Sequence, residues 1–309
     1  QTNMNLAETK TSGLELQLNT RNIQTKDFTW TSNLTFTWNK EEITRLATDN
    51  AEYISNGDNG LVLYKGQPVN SWYHYKLDGV WKTSEAADAA VFQAEPGDLK
   101  IDVPGMIHVS EGVYQKYVED ENGNMVLKTY DANNQYVISG DDYQVLGHRN
   151  PDWTMGFKNT FTYKNFDLSI YLYWRWGQTI KYDMLADYNP TVGSNFPKYF
   201  DYWTKETGDQ DHYFPALNSN KDITQYTGYY ALSYVDGSFF KIKNITLGYT
   251  LPQKWGKKIG IENLRVYTTI TNPLVIQKSD LLKNYDPEMN GSLDYPLTKQ
   301  FVFGVNLTF

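Results

Sequence analysis

The sequence of 309 residues contains no cysteine, which removes disulfides and thiolate metal sites from consideration. Its four histidines, His74, His108, His148 and His212, are scattered and fall into no metal-binding motif. It has no Gly-x-Ser-x-Gly elbow, Walker loop or dinucleotide fingerprint. Asp141–Asp142 and Asp209 with Asp211 could form paired carboxylates, but they read better as solvated loop charges. The sequence thus points to no enzyme, cofactor or metal. No apolar run approaches the roughly 18 residues of a membrane helix. A net charge of −8 argues against nucleic acid as a partner. Gln1 does not open a signal peptide, so the chain reads as a later piece of a longer polypeptide.

What the sequence does have is aromatic residues in alternation. Aromatics make up 16 % of it, with 25 Tyr and 9 Trp, side chains that favour sites with one dry and one wet end. Residues 300–309 place Phe301, Phe303, Val305, Leu307 and Phe309 on one face of an extended strand. Gln300, Gly304, Asn306 and Thr308 take the other face, broken only by Val302. A soluble strand buries such a stripe against a second layer, whereas a membrane barrel strand turns it to lipid. A chain ending on such a strand is expected of an outer-membrane barrel whose last strand closes against its first.

Six more segments repeat the pattern, at 13–20, 28–38, 153–163, 166–175, 244–251 and 264–271. In the segment at 166–175, for example, Phe166, Leu168, Ile170, Leu172 and Trp174 oppose Asp167, Ser169, Tyr171, Tyr173 and Arg175. In the segment at 28–38 only Ser32 is out of place. Tilted membrane strands of about 9–11 residues have this alternation.

The connections alternate too. Those at 21–27, 164–165 and 252–263 are brief, while 40–152, 176–237 and 272–299 are long and rich in Asn, Asp, Gly and aromatics. Short periplasmic turns and long extracellular loops are the rule for outer-membrane barrels. With the last strand running toward the periplasm, every short turn falls on the periplasmic side. Leu61–Tyr64 and Ser71–Trp81 then form an extracellular hairpin or pair, because one extra crossing would break the parity. A soluble sandwich or propeller predicts loops of even length, against a loop of more than a hundred residues here.

The residues also resemble a known family. Asp236-Gly-Ser-Phe-Phe-Lys-Ile-Lys-Asn-Ile-Thr-Leu-Gly-Tyr-Thr-Leu-Pro252, the stretch Asn150–Ser169 and Tyr285-Asp-Pro-Glu288 are similar to segments of SusC-like TonB-dependent transporters of Bacteroidetes. So are Gly13-Leu-Glu-Leu16, Tyr75-Lys-Leu-Asp-Gly-Val-Trp81 and Phe301–Phe309, in family order along nearly the whole chain. The resemblance implies that residues 1–309 are the C-terminal part of a 22-stranded antiparallel transmembrane β-barrel, an all-β fold with about seven crossing strands here. It also implies an outer-membrane location, a periplasmic C-terminus and import of a glycan or peptide. The implied partners are a SusD-like surface lipoprotein, the remaining N-terminal part of the transporter with its plug, the TonB–ExbB–ExbD complex, and outer-membrane lipid and lipopolysaccharide.

Two departures stand out. After Pro96-Gly97-Asp98 an insertion runs through Asp120-Glu-Asn-Gly-Asn124 to Gly140-Asp-Asp142, with a spacing that fits no EF-hand loop and leaves a calcium site there without support. The plug and TonB box are absent from these residues, and lipid does not tolerate the two unpaired edges of a partial barrel, so the N-terminal part is expected to complete it.

Candidate substrate contacts are the loop aromatics Trp72, Tyr73, Tyr75 and Trp81 in one hairpin and Tyr202 and Trp203 in a second cluster with Tyr199, Phe200, Tyr213 and Phe214. Tyr171, Tyr173 and Arg175 join them from the lumen face. Sugar faces stack on such rings while Asn and Asp read hydroxyls. The same rings could instead pack the loops or anchor the lipoprotein, and the three lumen residues could contact the plug. A peptide importer, a secreted carbohydrate-binding β-protein and an autotransporter barrel are the alternative functions.

Overall fold

A computed structural model describes residues 7–46, 53–55, 60–186, 198, 200–217, 229–256 and 260–309, so that Tyr199 lies outside the described residues. Two long strands come first, β1 (Ala7–Gln24) and β2 (Phe28–Leu46). The connection after them holds β3 (Tyr53–Ser55), β4 (Leu61–Tyr64), β5 (Ser71–His74), β6 (Lys76–Val80), the helix α1 (Ala86–Val91) and β7 (Leu99–Asp102). It continues through β8 (Ile107–Ser110), β9 (Val113–Glu119), β10 (Met125–Tyr130) and β11 (Gln144–His148). Then follow β12 (Trp153–Tyr163), β13 (Phe166–Trp176), the short β14 (Thr179–Lys181) and β15 (Tyr234–Asp236), and finally β16 (Phe239–Thr250), β17 (Asn263–Gln277) and β18 (Gln300–Thr308).

One antiparallel sheet runs β1-β2-β12-β13-β16-β17-β18, so the seven crossing strands expected from alternation pair in chain order. The turns at 25–27, 164–165 and 251–262 lie at one end, and the three long connections at the other. The pair Leu61–Tyr64 and Ser71–His74 is indeed a hairpin in a separate small sheet, β11-β5-β4-β3. Tyr75 interrupts it, and Lys76–Val80 pairs instead with β7.

Register keeps like with like across the sheet. Leu14, Leu16 and Leu18 oppose Trp38, Phe36 and Leu34. Leu168 and Ile170 lie between Phe161 and Asn159 on one side and Leu247 and Ile245 on the other. This apolar face is uncovered, with Phe303 76 % and Phe309 80 % exposed. Rings gather at both its ends. Trp153 lies 6.0 Å from Phe36 and 5.9 Å from Trp176 at the long-loop end, and Phe166 lies 4.7 Å from Tyr249 at the other. An apolar band between two aromatic girdles is the surface that lipid requires.

The polar residues around Asn159 on the apolar face satisfy one another. The Asn159 side-chain oxygen accepts from Trp30 Nε1 at 3.0 Å and from Ser32 Oγ at 2.7 Å, and Ser32 Oγ accepts from Asn22 at 2.6 Å. The out-of-phase Ser32 is thus part of a closed network, as a polar group away from water must be. On the polar face, glycines admit large neighbours. A Cβ on Gly304 would approach the Tyr267 ring to 2.2 Å, and one on Gly248 would meet the Arg265–Asp167 ion pair at 2.4 Å.

The buried apolar core lies elsewhere, in the long connections. Val80, Leu99, Ile180, Leu185, Phe200, Trp203, Phe214, Leu232, Val235, Leu282 and Tyr285 form one cluster. The molecule is therefore inside out relative to a sandwich. Its strands show apolar residues outward, and its loops bury them.

Candidate functional site

The loop body is fastened to the polar face of the sheet through β16. A β-bulge shifts the register of β16 between Ile242 and Asn244 in both its pairings. Phe239, Lys241 and Lys243 therefore sit on the same face as Asn244 and Thr246. Lys241 is fully buried, and its Nζ donates to Asp286 at 2.5 Å and Glu288 at 2.8 Å. Lys243 pairs with Glu288 as well and lies 4.7 Å over the Tyr173 ring. The Asp-Pro-Glu turn makes this possible. Asp286 accepts from the Glu288 backbone N–H, Pro287 starts a single helical turn, and Asn290 ends it with φ 53°. Burial alone would raise the Glu288 carboxyl, but hydrogen bonds from Lys241 and Lys243 bring it below its usual value. The 278–299 loop is thereby latched over the mouth of the sheet.

The loops also present a cluster of tyrosines around His74. Its ring stacks on Tyr143 at 4.8 Å, meets Tyr75 edge-on at 5.2 Å, and has Tyr234 at 5.6 Å and Tyr230 at 6.3 Å. Tyr73 reaches Tyr143 at 5.7 Å. Burial, then the charge of Lys181, lowers the His74 pKa to about 4, which keeps the imidazole neutral near pH 7. Tyr230 is 61 % exposed, and Tyr73 is half-buried. The cluster is uncharged, aromatic and rich in hydroxyls, a surface suited to stacking and hydrogen bonding rather than to catalysis.

The residues expected from sequence fall into three groups. Trp72, Tyr75, Trp81 and Trp203 are buried. Trp72 Nε1 donates to the Thr179 carbonyl at 2.8 Å, and Trp203 Nε1 to that of Gly208 at 3.0 Å. Trp81 lies outside the hairpin that holds Trp72 and Tyr73. It stacks on Phe92 at 5.6 Å under Lys100, and its backbone pairs with Gly97 and Asp98. Gly97, at φ 95°, has the Trp203 ring 2.8 Å from where a Cβ would be, so the Pro-Gly-Asp motif is the seam joining two tryptophans. Burial favours packing for these four residues.

The second group, Tyr73 and Tyr202, keeps exposed ring surface. The third, Tyr171, Tyr173 and Arg175, lies half-buried on the polar face, below the latch. His74, Tyr143, Tyr230 and Tyr234 escaped the sequence reading because three stretches far apart in sequence supply them. They meet only through folding of separate loops. One further correction concerns Asp142. Far from being a solvated charge, it is fully buried and accepts from Tyr136 at 2.7 Å, Lys116 at 2.8 Å and the Ser139 N–H at 3.0 Å. Asp209 and Asp211 bind the Ser84 N–H and Lys82 at the surface, and Asp120 closes the β9–β10 turn by accepting from the Asn122 and Asn124 N–H groups.

No protein-family model matches the chain. Among characterised proteins, TonB-dependent receptor P3 of Formosa agariphila is 25 % identical over 323 residues, covering 99 % of this chain and 29 % of the relative. TonB-dependent receptor SusC of Bacteroides thetaiotaomicron is 28 % identical over 317 residues, covering 100 % of this chain and 27 % of the relative. The chain thus spans about three tenths of the length of these curated relatives. Among solved structures, the RagAB peptide transporter superposes with a TM-score of 0.72 at 24 % identity, covering 99 % of this chain and 30 % of that one. That likeness shows the fold, a seven-stranded portion of such a barrel wall with its loops. Sequence and fold agree from one end of the chain to the other, and along its whole length the chain is similar to a β-barrel segment of TonB-dependent receptors, SusC among them.

Proposed function

We propose that the protein to which this chain belongs imports a large polar nutrient across the outer membrane, driven by the TonB–ExbB–ExbD complex and capped by a SusD-like lipoprotein. The polypeptide N-terminal to these strands supplies the plug and closes the barrel, and the short turns face the periplasm. The observation that carries this reading is the pairing of seven alternating strands in chain order, with every short turn at one end and a packed loop body at the other. An oligosaccharide is the favoured cargo, because the neutral tyrosine cluster around His74 offers stacking rings and hydroxyls without fixed charge. The exposed apolar side of the β8–β9–β10 sheet, with Ile107, Tyr117, Met125 and Leu127, supports an outer partner that covers it.

Peptide cargo is the second reading, favoured by the fold likeness to a transporter described as carrying peptides. Titrating neutral oligosaccharides and short peptides into the purified full-length complex separates the two. Retention of oligosaccharides, weakened by Tyr230→Ala, supports the first. Retention of peptides alone replaces it with the second. Extraction without detergent would refute import altogether.

A further inference from the structure

The cations on the polar face of the sheet are not all treated alike. Arg265 on β17 grips Asp167 on β13 with two hydrogen bonds, at 3.0 and 2.6 Å. Lys241 and Lys243 are neutralised by Asp286 and Glu288. Arg21 on β1 and Lys158 on β12 have no carboxylate partner among the described residues, and Arg21 spends one donor on the Gln24 amide at 2.7 Å. Only β2 separates their strands, and Lys158 is level with Asn19, two residues from Arg21, which places the two backbone positions about 12 Å apart. Long cationic side chains can converge across that gap. Both border a groove of about 430 Å³ on the polar face, whose lining includes Asn19, Asn33, Thr31 and Thr160. The Asn33 amide donates to the Asn19 oxygen, which leaves the Asn19 nitrogen free of that bond as a further donor. Two uncompensated cations among neutral donors are the recognition chemistry of an oxyanion.

We propose that Arg21 and Lys158 form an oxyanion site on the inner wall, one that takes a carboxylate or sulfate group. The assignment rests on the barrel reading, because only in a closed barrel does this face line a lumen. The group has two sources, an acidic cargo or an acidic side chain of the same polypeptide lodged inside the barrel.

Amine labelling of the purified full-length protein, read residue by residue by mass spectrometry, tests the site with inorganic sulfate as probe and Lys26 of the short turn as control. A cargo site leaves Lys158 reactive in chloride. Sulfate at equal ionic strength then slows it by about threefold while Lys26 is unchanged, and the protection disappears in Arg21→Gln. An internal carboxylate leaves Lys158 about tenfold slower than Lys26 in either salt, with reactivity restored in Arg21→Gln. Either pattern supports the oxyanion site. Labelling of Lys158 at the rate of Lys26 in both salts, or protection that survives Arg21→Gln, overturns it. Heat-modifiable electrophoretic mobility of the same samples reports barrel closure separately. A closed barrel with a freely reacting Lys158 therefore refutes the site alone, and an unclosed chain refutes the barrel reading as well.

Discussion

Replacing Lys241 with Met should unlatch the 278–299 loop while leaving the barrel wall standing. The Lys241 side chain is fully enclosed, and the Asp286 and Glu288 side chains facing it are 12 % and 24 % exposed. Removing one partner of a buried pair strands the other charge, at a cost of about 3–5 kcal/mol. Glu288 retains Lys243, so the penalty falls chiefly on Asp286, and the lower end of that range, about 3 kcal/mol, is the expected value. That corresponds to roughly a hundredfold in the local opening equilibrium. The β16–β17 ladder does not depend on the lysine side chain, so unfolding should be local. Hydrogen exchange of the full-length protein should therefore show faster exchange confined to 278–299 and to the Tyr182–Tyr285 contact, with β16 and β17 still protected. Adding Asp286→Leu to Lys241→Met should recover part of the loss, because the stranded charge is gone. If exchange in 278–299 is unchanged in Lys241→Met, or rises equally along β16, the latch is not what holds the loop.

Arg at Ile170, on the lipid face, should cost about 2–4 kcal/mol in unfolding from lipid vesicles, whereas Arg at Ser169 on the polar face should be far milder; equal costs would overturn the facing assignment. Trp72→Ala should lower stability by about 3–5 kcal/mol, since it empties a buried site and frees the Thr179 carbonyl, and denaturant titration with a binding assay should show ligand loss only in proportion to unfolding. Tyr230→Ala should leave thermal stability unchanged and weaken cargo binding through loss of one stacked ring, about 0.5–1.5 kcal/mol by calorimetric titration. The folded His74 titrates near 4 against an ordinary 6.5, so its contribution to stability is complete above 6.5 and is lost as pH falls toward 4. Melting curves should show His74→Phe with a flatter pH dependence across that window. Glu288 has the same sign, so the latch should hold at neutral pH and weaken only as pH drops below the ordinary 4.5.

The barrel wall was legible because lipid and lumen impose opposite demands on alternate residues, and a period of two survives in any sequence that meets both. The strands at 153–163, 166–176 and 300–308 match the alternation almost residue for residue. The loop body was not legible in the same way. Its core is assembled from segments far apart in sequence, such as Val80 and Leu99 with Phe214, Leu232 and Leu282, and Tyr182 with Tyr285. A loop tryptophan destined for a core looks no different in sequence from one destined for a ligand, and Trp72 and Trp81 show the consequence. Asp142 failed for the related reason that its partners, Lys116 and Tyr136, come from a strand and a turn that only the fold brings to it.

The places where alternation stopped early are themselves informative. Periodicity starts at Asn244 and ends at Thr271, yet the strands run from Phe239 and to Gln277. The discrepancy has one cause. The bulge at Lys243 faces Asn272, at φ 53°, and Pro273, a residue that donates no ladder hydrogen bond, so β16 changes phase there, while in β17 the polar Asn272 merely interrupts the apolar face shared by Ile270, Leu274 and Ile276. Without that change Asn244 would face lipid, or else Lys241 and Lys243 would. With it, both lysines join the lumen side, where Asp286 and Glu288 meet them. A local rule is broken where the wall must hold a loop over its mouth, the kind of site at which sequence regularity is expected to yield to function. The bulge, the two lysines and the Asp-Pro-Glu turn therefore form one device. A variant that deletes Lys243 should straighten β16 against β13 while leaving Lys241 opposite Tyr173 on the lumen side. Hydrogen exchange in 278–299 should then rise less than in Lys241→Met, and an equal rise would show that Lys243 rather than Lys241 carries the latch.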